Sequence, residues 1–240
     1  MRIIFVRHGD PDYQKDCLTE RGKKEAEAVA LRLSKLPIAA VYSSPLGRAL
    51  ETTHIYADKV GLPIVVKDFL KETPCKYKTK DGMEFDIRDR LISDWCYDPT
   101  VYDIHTWKDN KNIADSDFPI WMDSIYKGID SILEEHGYKR NGNVYDVIKP
   151  NHDVIVIFAH FGLIGAVLSH IMNISPELLW HHFICRPSSV TTLWSEERRE
   201  GKAIFRCSGY GDTSHLQDDL DPNLSGQFCE CYLDKEKRHD

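Results

Sequence analysis

The sequence has no long apolar run at its start and no surplus of basic charge. The apolar stretch within residues 2–6 is too short for the core of a secretory signal peptide. A formal net charge of −7 argues against non-specific nucleic-acid binding, which requires a basic surface. The longest apolar stretch, residues 154–172, contains His160 and glycines, so a buried strand, a loop and a packed helix explain it better than a membrane span. We therefore expect neither nucleic-acid nor membrane partners.

A disulfide framework and a zinc site also lack the necessary cysteine pattern. The seven cysteines are odd in number and widely spread. Cys229 and Cys231 are close together, but no second ligand pair stands at zinc-site spacing. We therefore expect a reduced, cytoplasmic setting and no bound metal.

The sequence does contain a regular alternation of strands and helices. Its 240 residues, 42% of them hydrophobic, suffice for one large domain with a substantial core. Thr19 is placed to cap a first helix, and Ser44 followed by Pro45 to cap a second. The alternation predicts an α/β fold, a three-layer sandwich with a mostly parallel sheet and helices on both faces. The predicted strands cover residues 2–6, 38–42, 64–66, 154–158, 190–194 and 203–207.

Residues 74–150 break this alternation. They hold three of the five tryptophans and many charges, and one helix is predicted within residues 115–135, with Ile125, Ile129 and Ile132 along one side. We interpret this segment as a cap inserted into a single domain of residues 1–240. From about residue 218 the chain is polar, which predicts a poorly ordered tail.

The first candidate site is Arg7-His8-Gly9, at the end of the first predicted strand. Ligands of open α/β sheets bind outside the carboxyl ends of the strands, so His8 is well placed for chemistry. Arg7 offers a planar fork of donors to a phosphate, and Gly9 lets the backbone approach a ligand. The alternative is a surface Arg-His pair at a turn.

Further candidates follow other strands. Arg48 falls in the first turn of the second helix, where free N–H groups favour an anion. Thr52 lies one turn later. His160 directly follows a buried strand. Glu72 lies beyond the third strand, and its carboxyl group could give a proton to a leaving oxygen and later take one from water. Taken singly, each has a structural alternative: a solvated arginine, a core histidine, a surface glutamate.

Taken in order, these segments resemble the histidine phosphatase superfamily, also called the phosphoglycerate mutase-like family. The resemblance implies that His8 is a nucleophile that becomes phosphohistidine, that Arg7, Arg48 and His160 hold the phosphoryl oxygens, and that Glu72 is the proton donor. It implies a hydrolase for a small phosphorylated substrate, with no metal or other cofactor. The oligomeric state is left open, a dimer among the alternatives. The segments are Arg7-His8-Gly9, Leu18-Thr19 with Gly22, Ser43-Ser44-Pro45 with Arg48 and Thr52, Glu72, His160 with Gly162, and residues 211–216.

Two positions depart from the family pattern. Pro11 stands in the segment after Gly9 where a hydroxyl residue is usual, so both a hydroxyl and a backbone N–H are missing, and Tyr13 or Thr52 could compensate. Phe161 follows His160 where glycine is common, and its ring either narrows or lines the pocket. The asparagine and tryptophan of cofactor-dependent mutases are also absent, which favours hydrolysis over phosphoryl transfer between hydroxyls. A mutase and a non-catalytic module that binds phosphorylated ligands are the alternatives.

Substrate choice is expected to rest on the cap. Several of its basic residues could meet a second anionic group, although solvated surface positions explain most of them, and His105 and the tryptophans could form an apolar lid. The basic residues are Lys76, Lys78, Lys80, Arg88 and Arg90.

Overall fold

A computed structural model describes residues 1–72, 76–78, 82, 84–110, 113, 116–216 and 220. Within these residues the chain forms five α-helices and twelve β-strands, joined in the cap by short 3₁₀ turns. The strands are β1 (Arg2–Arg7), β2 (Pro11–Asp12), β3 (Cys17–Leu18), β4 (Ile38–Ser43), β5 (Ile64–Val66), β6 (Lys76–Lys78), β7 (Glu84–Asp86), β8 (Tyr138–Asn141), β9 (Val144–Val147), β10 (Val154–Ala159), β11 (Val190–Arg199) and β12 (Lys202–Asp212). The helices are α1 (Glu20–Leu33), α2 (Gly47–Val60), α3 (Phe118–Glu135), α4 (Phe161–Met172) and α5 (Pro176–His182).

The central sheet contains eight of these strands in the order β5-β4-β10-β1-β11-β12-β9-β8. The pairs from β5 to β1 are parallel, and the pairs from β1 to β8 are antiparallel. Strands β11 and β9 therefore run against the other six, and the predicted mostly parallel α/β sheet is confirmed. Since β10 lies between β1 and β4, the carboxyl ends of these three strands meet at one edge.

Alternating side chains of the central strands enter two separate cores. Ile3 and Phe5 of β1 pack on the face covered by α3 and α4, whereas Ile4 and Val6 pack on the face covered by α1 and α2. Strand β10 divides its side chains in the same way. This three-layer packing buries both faces of a central strand such as β10. Its side chains are therefore apolar on both faces and not on alternate positions only.

Thr19 caps α1 as predicted, and its hydroxyl oxygen accepts a hydrogen bond from the Gly22 N–H at 3.0 Å. The prediction for α2 is wrong: the helix begins at Gly47 after Leu46, not at Pro45 after Ser44. The Ser44 hydroxyl instead accepts a hydrogen bond from the Leu46 N–H at 3.2 Å, which forms a tight turn before the helix.

The predicted cap helix is confirmed as α3, with Ile125, Ile129 and Ile132 buried on one side. Strands β8 and β9 form a hairpin that extends the central sheet, so this part of residues 74–150 lies beside the sheet and not over it. The single domain and the cap boundaries stay predictions. Apart from residue 220, the tail predicted from about residue 218 lies outside the described residues, as do Cys229 and Cys231.

The apolar stretch 154–172 forms β10, a one-residue link at His160, and α4. Within the described residues, no helix is both long and apolar enough to cross a membrane.

Candidate active site

Three adjacent strands carry the first residues of the site at their carboxyl ends. His8 follows β1, His160 follows β10, and Ser44 follows β4. The two histidine rings lie 5.1 Å apart between centroids, tilted by 56°. The structure therefore brings together the two histidines that are 152 positions apart in the sequence.

The hydrogen bonds of His8 determine which ring nitrogen is free to react. Its Nδ1 lies 2.7 Å from the Gly9 carbonyl oxygen, which can only accept, so Nδ1 carries the proton. The Arg48 Nε–H donates to Nε2 at 3.3 Å, so Nε2 presents a lone pair. Both neighbours select the tautomer in which Nε2 is the nucleophilic atom.

The surroundings of His8 also keep its imidazole uncharged. Only 2% of the residue is exposed, and burial, followed by the charges of Arg7, His160 and Arg48, holds its pKa well below the ordinary 6.5. An unprotonated imidazole at neutral pH is the form that a nucleophile requires.

Arg7 and Arg48 lie on two sides of His8 and both line the same cavity. Arg7 is anchored by a hydrogen bond of 2.6 Å from Nη1 to the Cys185 carbonyl oxygen. Its Nε is buried and has no partner among the residues that the structure describes. Buried donors are normally paired in native structures, and an anionic ligand would satisfy this one.

Asp16 is a part of the site that the sequence did not indicate. Its Oδ1 lies 2.5 Å from Nη1 of Arg48, and its Oδ2 accepts a hydrogen bond from the Gly47 N–H at 2.6 Å. Asp16 therefore fixes both the first turn of α2 and the direction of the Arg48 side chain. Its backbone has φ +49°, a left-handed conformation that brings its carbonyl oxygen against Gly47.

This close approach gives a prediction for Gly47→Ala. A Cβ at Gly47 would lie 2.1 Å from the Asp16 carbonyl oxygen, so the loop must move. We expect the free energy of unfolding to fall by about 1–3 kcal/mol, measured by urea denaturation, and affinity for inorganic phosphate to fall as Arg48 loses its position. The matched control is Gly209→Ala, where a Cβ meets nothing within 4 Å. Equal stability and equal phosphate affinity of the two variants would contradict this assignment.

His160 is oriented by Ser44, whose hydroxyl lies 2.8 Å from its Nε2. Ser44 already accepts from the Leu46 N–H, so its own proton is available for His160 Nε2, which leaves the proton of His160 on Nδ1. That Nδ1 is buried and has no partner within the described part of the chain. Burial, followed by the charges of Arg48 and Arg7, holds the pKa of His160 well below 6.5, so it is a neutral donor.

Glu72 lies at the first turn of α4 and lines the cavity. Its two oxygens accept hydrogen bonds from the backbone N–H groups of Gly162 at 3.2 Å and Leu163 at 3.1 Å. Nη1 of Arg88 lies 2.6 Å from Glu72 Oε2. A Cβ at Gly162 would lie 2.4 Å from that arginine nitrogen, so the Arg88 side chain would have to move.

Thr52 differs from the prediction that it binds phosphate. Its hydroxyl accepts a hydrogen bond from the Gly9 N–H at 3.1 Å and donates to the Arg48 carbonyl oxygen at 2.8 Å. The hydroxyl proton, which a phosphate oxygen would require, is therefore used inside the protein, and Thr52 does not line the cavity. It connects the loop after His8 to the turn that carries Arg48.

The two residues that depart from the family pattern are accommodated in different ways. Pro11 is in β2, which pairs with β3 in a small ribbon beside the site. Tyr13, on the same loop, is 66% exposed and lies under the Arg48 guanidinium at 5.3 Å from its ring centroid. Phe161 lines the cavity, and the Arg7 guanidinium lies 5.9 Å from its ring centroid. Of the two alternatives for this ring, the structure shows the lining one.

The basic cap residues are not a free cationic patch. Arg88 is paired with Glu72 and Asp86, and Arg90 is buried against Glu177. Lys76 is exposed and lies 3.0 Å from Glu84. Lys80 and the side chain of Lys78 lie outside the described residues.

The segment 211–216 supports the site from behind. His215 Nε2 lies 3.3 Å from the hydroxyl of Ser188, whose backbone N–H donates to the His8 carbonyl oxygen at 3.0 Å. Arg32 contacts both His215 and Asp212. Burial, followed by the charge of Arg32, lowers the pKa of His215 to about 4. These contacts fix the backbone of His8 without entering the cavity.

The cavity itself has a volume of about 500 Å³, which suits a small ligand. It is lined by His8, Arg7, Arg48 and Glu72 and by residues of the cap and of α5.

The chain is similar to several known proteins. Residues 3–106 match the family model described as the histidine phosphatase superfamily (branch 1). Phosphoserine phosphatase 1 of Hydrogenobacter thermophilus is 22% identical over 208 residues, which cover 83% of this chain and 89% of that protein. The 2,3-bisphosphoglycerate-dependent phosphoglycerate mutase of Thermoplasma acidophilum is 34% identical, but over 79 residues that cover 29% of this chain and 40% of the mutase.

Among solved structures, a phosphoserine phosphatase variant from Entamoeba histolytica in complex with phosphoserine superposes with a TM-score of 0.62. The two chains are 18% identical, and the match covers 90% of this chain and 99% of the other. At that identity the likeness shows a shared fold.

Proposed function

We propose that the chain is a phosphatase of the histidine phosphatase superfamily and that it hydrolyses a small phosphomonoester through a phosphohistidine on His8 Nε2. The observation that carries the proposal is the neutral, buried His8 with an unprotonated Nε2 in a cavity that two arginines line. A cavity of about 500 Å³ fits a phosphorylated small molecule.

In the first step, His8 Nε2 forms a bond to phosphorus while the bond from phosphorus to the alcohol oxygen breaks. Arg7, Arg48 and the Nδ1–H of His160 stabilise the charge on the transferring oxygens. The leaving oxygen takes a proton from Glu72. The two oxygens of Glu72 are held in place by the Gly162 and Leu163 N–H groups and by Arg88.

In the second step, water attacks the phosphohistidine and gives a proton to Glu72. The bond between nitrogen and phosphorus breaks, which releases inorganic phosphate and restores neutral His8. Thr52, Ser44 and Asp16 position the reacting groups from outside the cavity. The full set of nucleophile and donors supports catalysis over ligand binding alone. The mutase relative matches only a short part of the chain.

The intermediate can be trapped directly. Rapid mixing of the enzyme with a ³²P-labelled aryl phosphate, followed by quenching, is expected to yield protein-bound phosphate that is stable in base and labile in acid. Mass spectrometry of the quenched protein is expected to locate it on the peptide that contains His8. Turnover without any such species at several quench times would count against the proposal.

The charge state of His8 gives a second prediction. We expect the ¹⁵N NMR signals of the His8 ring to be those of the neutral Nδ1–H tautomer from about pH 8 down to about pH 6, because its pKa is held well below 6.5. The same ring in the urea-unfolded protein is expected to titrate near its ordinary value, which serves as the control. Titration of the folded-state His8 signal at that ordinary value would contradict the prediction.

A cytoplasmic location is part of this proposal. The four cysteines in the described part of the chain, Cys17, Cys96, Cys185 and Cys207, are free thiols, as suits a reducing compartment.

A further inference from the structure

Large apolar side chains that are exposed to solvent line the candidate active-site cavity. Tyr13 is 66% exposed, Phe183 44% and Ile184 41%, and all three line the cavity. Phe161 and the buried Trp180 line it as well. Single exposed apolar residues are ordinary on a protein surface, but several of them around one concave cavity indicate a surface that a ligand covers when it binds.

Two of these rings lie against the arginines that are expected to hold the phosphoryl group. The Arg48 guanidinium lies 5.3 Å from the centroid of the Tyr13 ring, and the Arg7 guanidinium lies 5.9 Å from that of Phe161. The Tyr13 ring also meets the His8 ring edge-on, with centroids 6.5 Å apart. A phosphoryl group that both arginines hold at His8 therefore has both apolar rings as close neighbours.

The exposed pair Phe183 and Ile184 is connected to one of these arginines through the backbone. Nη1 of Arg7 donates a hydrogen bond to the carbonyl oxygen of the next residue, Cys185, at 2.6 Å. The Phe183 ring packs on Tyr210, with centroids 5.2 Å apart. These contacts fix the position of the pair relative to the arginine, so its apolar surface is also close to the phosphoryl group.

The remaining arginine among the described residues of the cavity lining is paired within the protein. Nη1 of Arg88 lies 2.6 Å from Glu72, and its Nε lies 2.5 Å from Asp86. A carboxylate on the alcohol part of a substrate would have to compete with both of these protein carboxylates. The exposed apolar side chains therefore offer the alcohol part of a substrate more than this arginine does.

We propose that the alcohol part of the substrate is apolar, with a hydrocarbon arm that ends in a ring or a group of similar size. Tyr13, Phe161 and Phe183 bind this arm while Arg7 and Arg48 hold the phosphoryl group. This inference rests on the proposed function and names its substrate class: phosphomonoesters of apolar alcohols. It also gives a role to Phe161, which stands where glycine is common in the family.

Three phosphate esters of uncharged primary alcohols test the inference. 2-Phenylethyl phosphate carries an apolar ring, glucose 6-phosphate carries a polar ring of similar size, and propyl phosphate carries no ring. For the wild-type protein we expect kcat/KM to be about tenfold higher for 2-phenylethyl phosphate than for propyl phosphate, because burial of a phenyl ring favours binding. Glucose 6-phosphate is expected to be the poorest of the three. Phosphate release is measured for each ester under the same conditions.

Phe183→Ser is the decisive variant, because it removes a half-exposed ring without opening the core. We expect it to lower the ratio of kcat/KM for 2-phenylethyl phosphate to that for propyl phosphate about fivefold, and Phe161→Ser to act in the same direction. Phe183→Leu stays apolar and is expected to keep most of the ratio. The ratio is the readout because general damage to the fold or to catalysis lowers both rates alike. Tyr97→Ser is the matched control: Tyr97 is an exposed cap residue that does not line the cavity, and the ratio is expected to stay unchanged.

Calorimetry with His8→Ala measures binding without turnover. We expect 2-phenylethyl phosphate to bind this variant about tenfold more tightly than propyl phosphate, with a negative heat-capacity change, which marks the burial of apolar surface. Equal affinities of the two esters would contradict an apolar site whether or not the protein is a phosphatase.

The outcomes separate this inference from the proposed function. Equal kcat/KM for the three esters, or a preference for the phenyl ring that both Phe183→Ser and Phe161→Ser leave intact, would overturn the inference and leave the phosphatase in place. Absence of hydrolysis of all three esters and of aryl phosphates would overturn the proposed function itself, and the binding preference of His8→Ala would then decide whether the apolar site exists.

Discussion

Replacing His8 with alanine is expected to lower kcat by about 1000-fold or more toward every phosphomonoester that the protein hydrolyses. The reason is the loss of the Nε2 lone pair, which no neighbouring group supplies: Arg48 is a donor at this position, and the His160 Nε2 is occupied by Ser44. Steady-state rates on an aryl phosphate and the yield of acid-labile protein phosphate measure the loss. Both are expected to fall together.

His54→Ala is the matched control for this experiment. His54 is an exposed residue of α2, away from the cavity, so its removal is expected to change neither rate nor trapping. Circular dichroism of both variants checks that the fold is retained, and binding of inorganic phosphate to His8→Ala checks that the arginines still hold an anion. A His8→Ala protein that turns over at the wild-type rate would remove His8 from the mechanism.

The second large effect is expected for stability, at the buried ion pair that joins the cap to α5. Nη2 of Arg90 lies 2.5 Å from Oε2 of Glu177, and both side chains are fully buried. Asn110 accepts a further hydrogen bond from Arg90 at 3.3 Å. Glu177→Leu is expected to lower the free energy of unfolding by about 3–5 kcal/mol, because it removes the carboxylate that pairs with the buried Arg90 charge.

A double variant distinguishes two causes of lost stability: the loss of the ion pair itself and the burial of the Arg90 charge after its paired carboxylate is removed. Arg90→Met combined with Glu177→Leu removes both charges and is expected to cost less than Glu177→Leu alone, as measured by urea denaturation. His181 Nε2 lies 3.2 Å from Glu177, and His181 lines the cavity, so KM is expected to rise in both variants. Equal losses of stability in the single and double variants would show that the buried charge is not the cause.

Much of the fold follows from local patterns in the sequence. The strand that precedes His8 is apolar from Ile3 to Val6 because both of its faces are buried, and this pattern is visible without a structure. Thr19 marks the start of α1 for an equally local reason, a side chain that satisfies a free N–H group. The same rule failed at Ser44, whose hydroxyl binds the turn before α2 and also His160. A capping rule considers only neighbouring residues, so it cannot predict a partner that is 116 positions away.

The candidate site also combines residues that local sequence patterns predict with residues whose roles depend on distant contacts. His8, His160 and Arg48 could be predicted because local sequence patterns mark the ends of strands and the starts of helices. Asp16 could not, because its contact with Arg48 depends on a left-handed backbone in a short loop. The pairing of Arg88 with Glu72 also depends on how the cap folds back, so the arginine appeared to be free for a substrate. Charge patterns show which groups are present, but only the folded chain shows which of them neutralise one another.

The position of β10 between β1 and β4 has a consequence for how the protein is made. Arg2 lies opposite Val154 in the sheet, so β1 leaves the ribosome well before the strand that covers its edge. During that interval an apolar strand is exposed on its edge and both faces, and the loop that holds the nucleophile has no neighbour from β10. Such long-range parallel pairing forms slowly and exposes the growing chain to aggregation. The pocket around His8 is therefore among the last features to form, and an N-terminal fragment that ends before residue 160 contains His8 without His160 beside it.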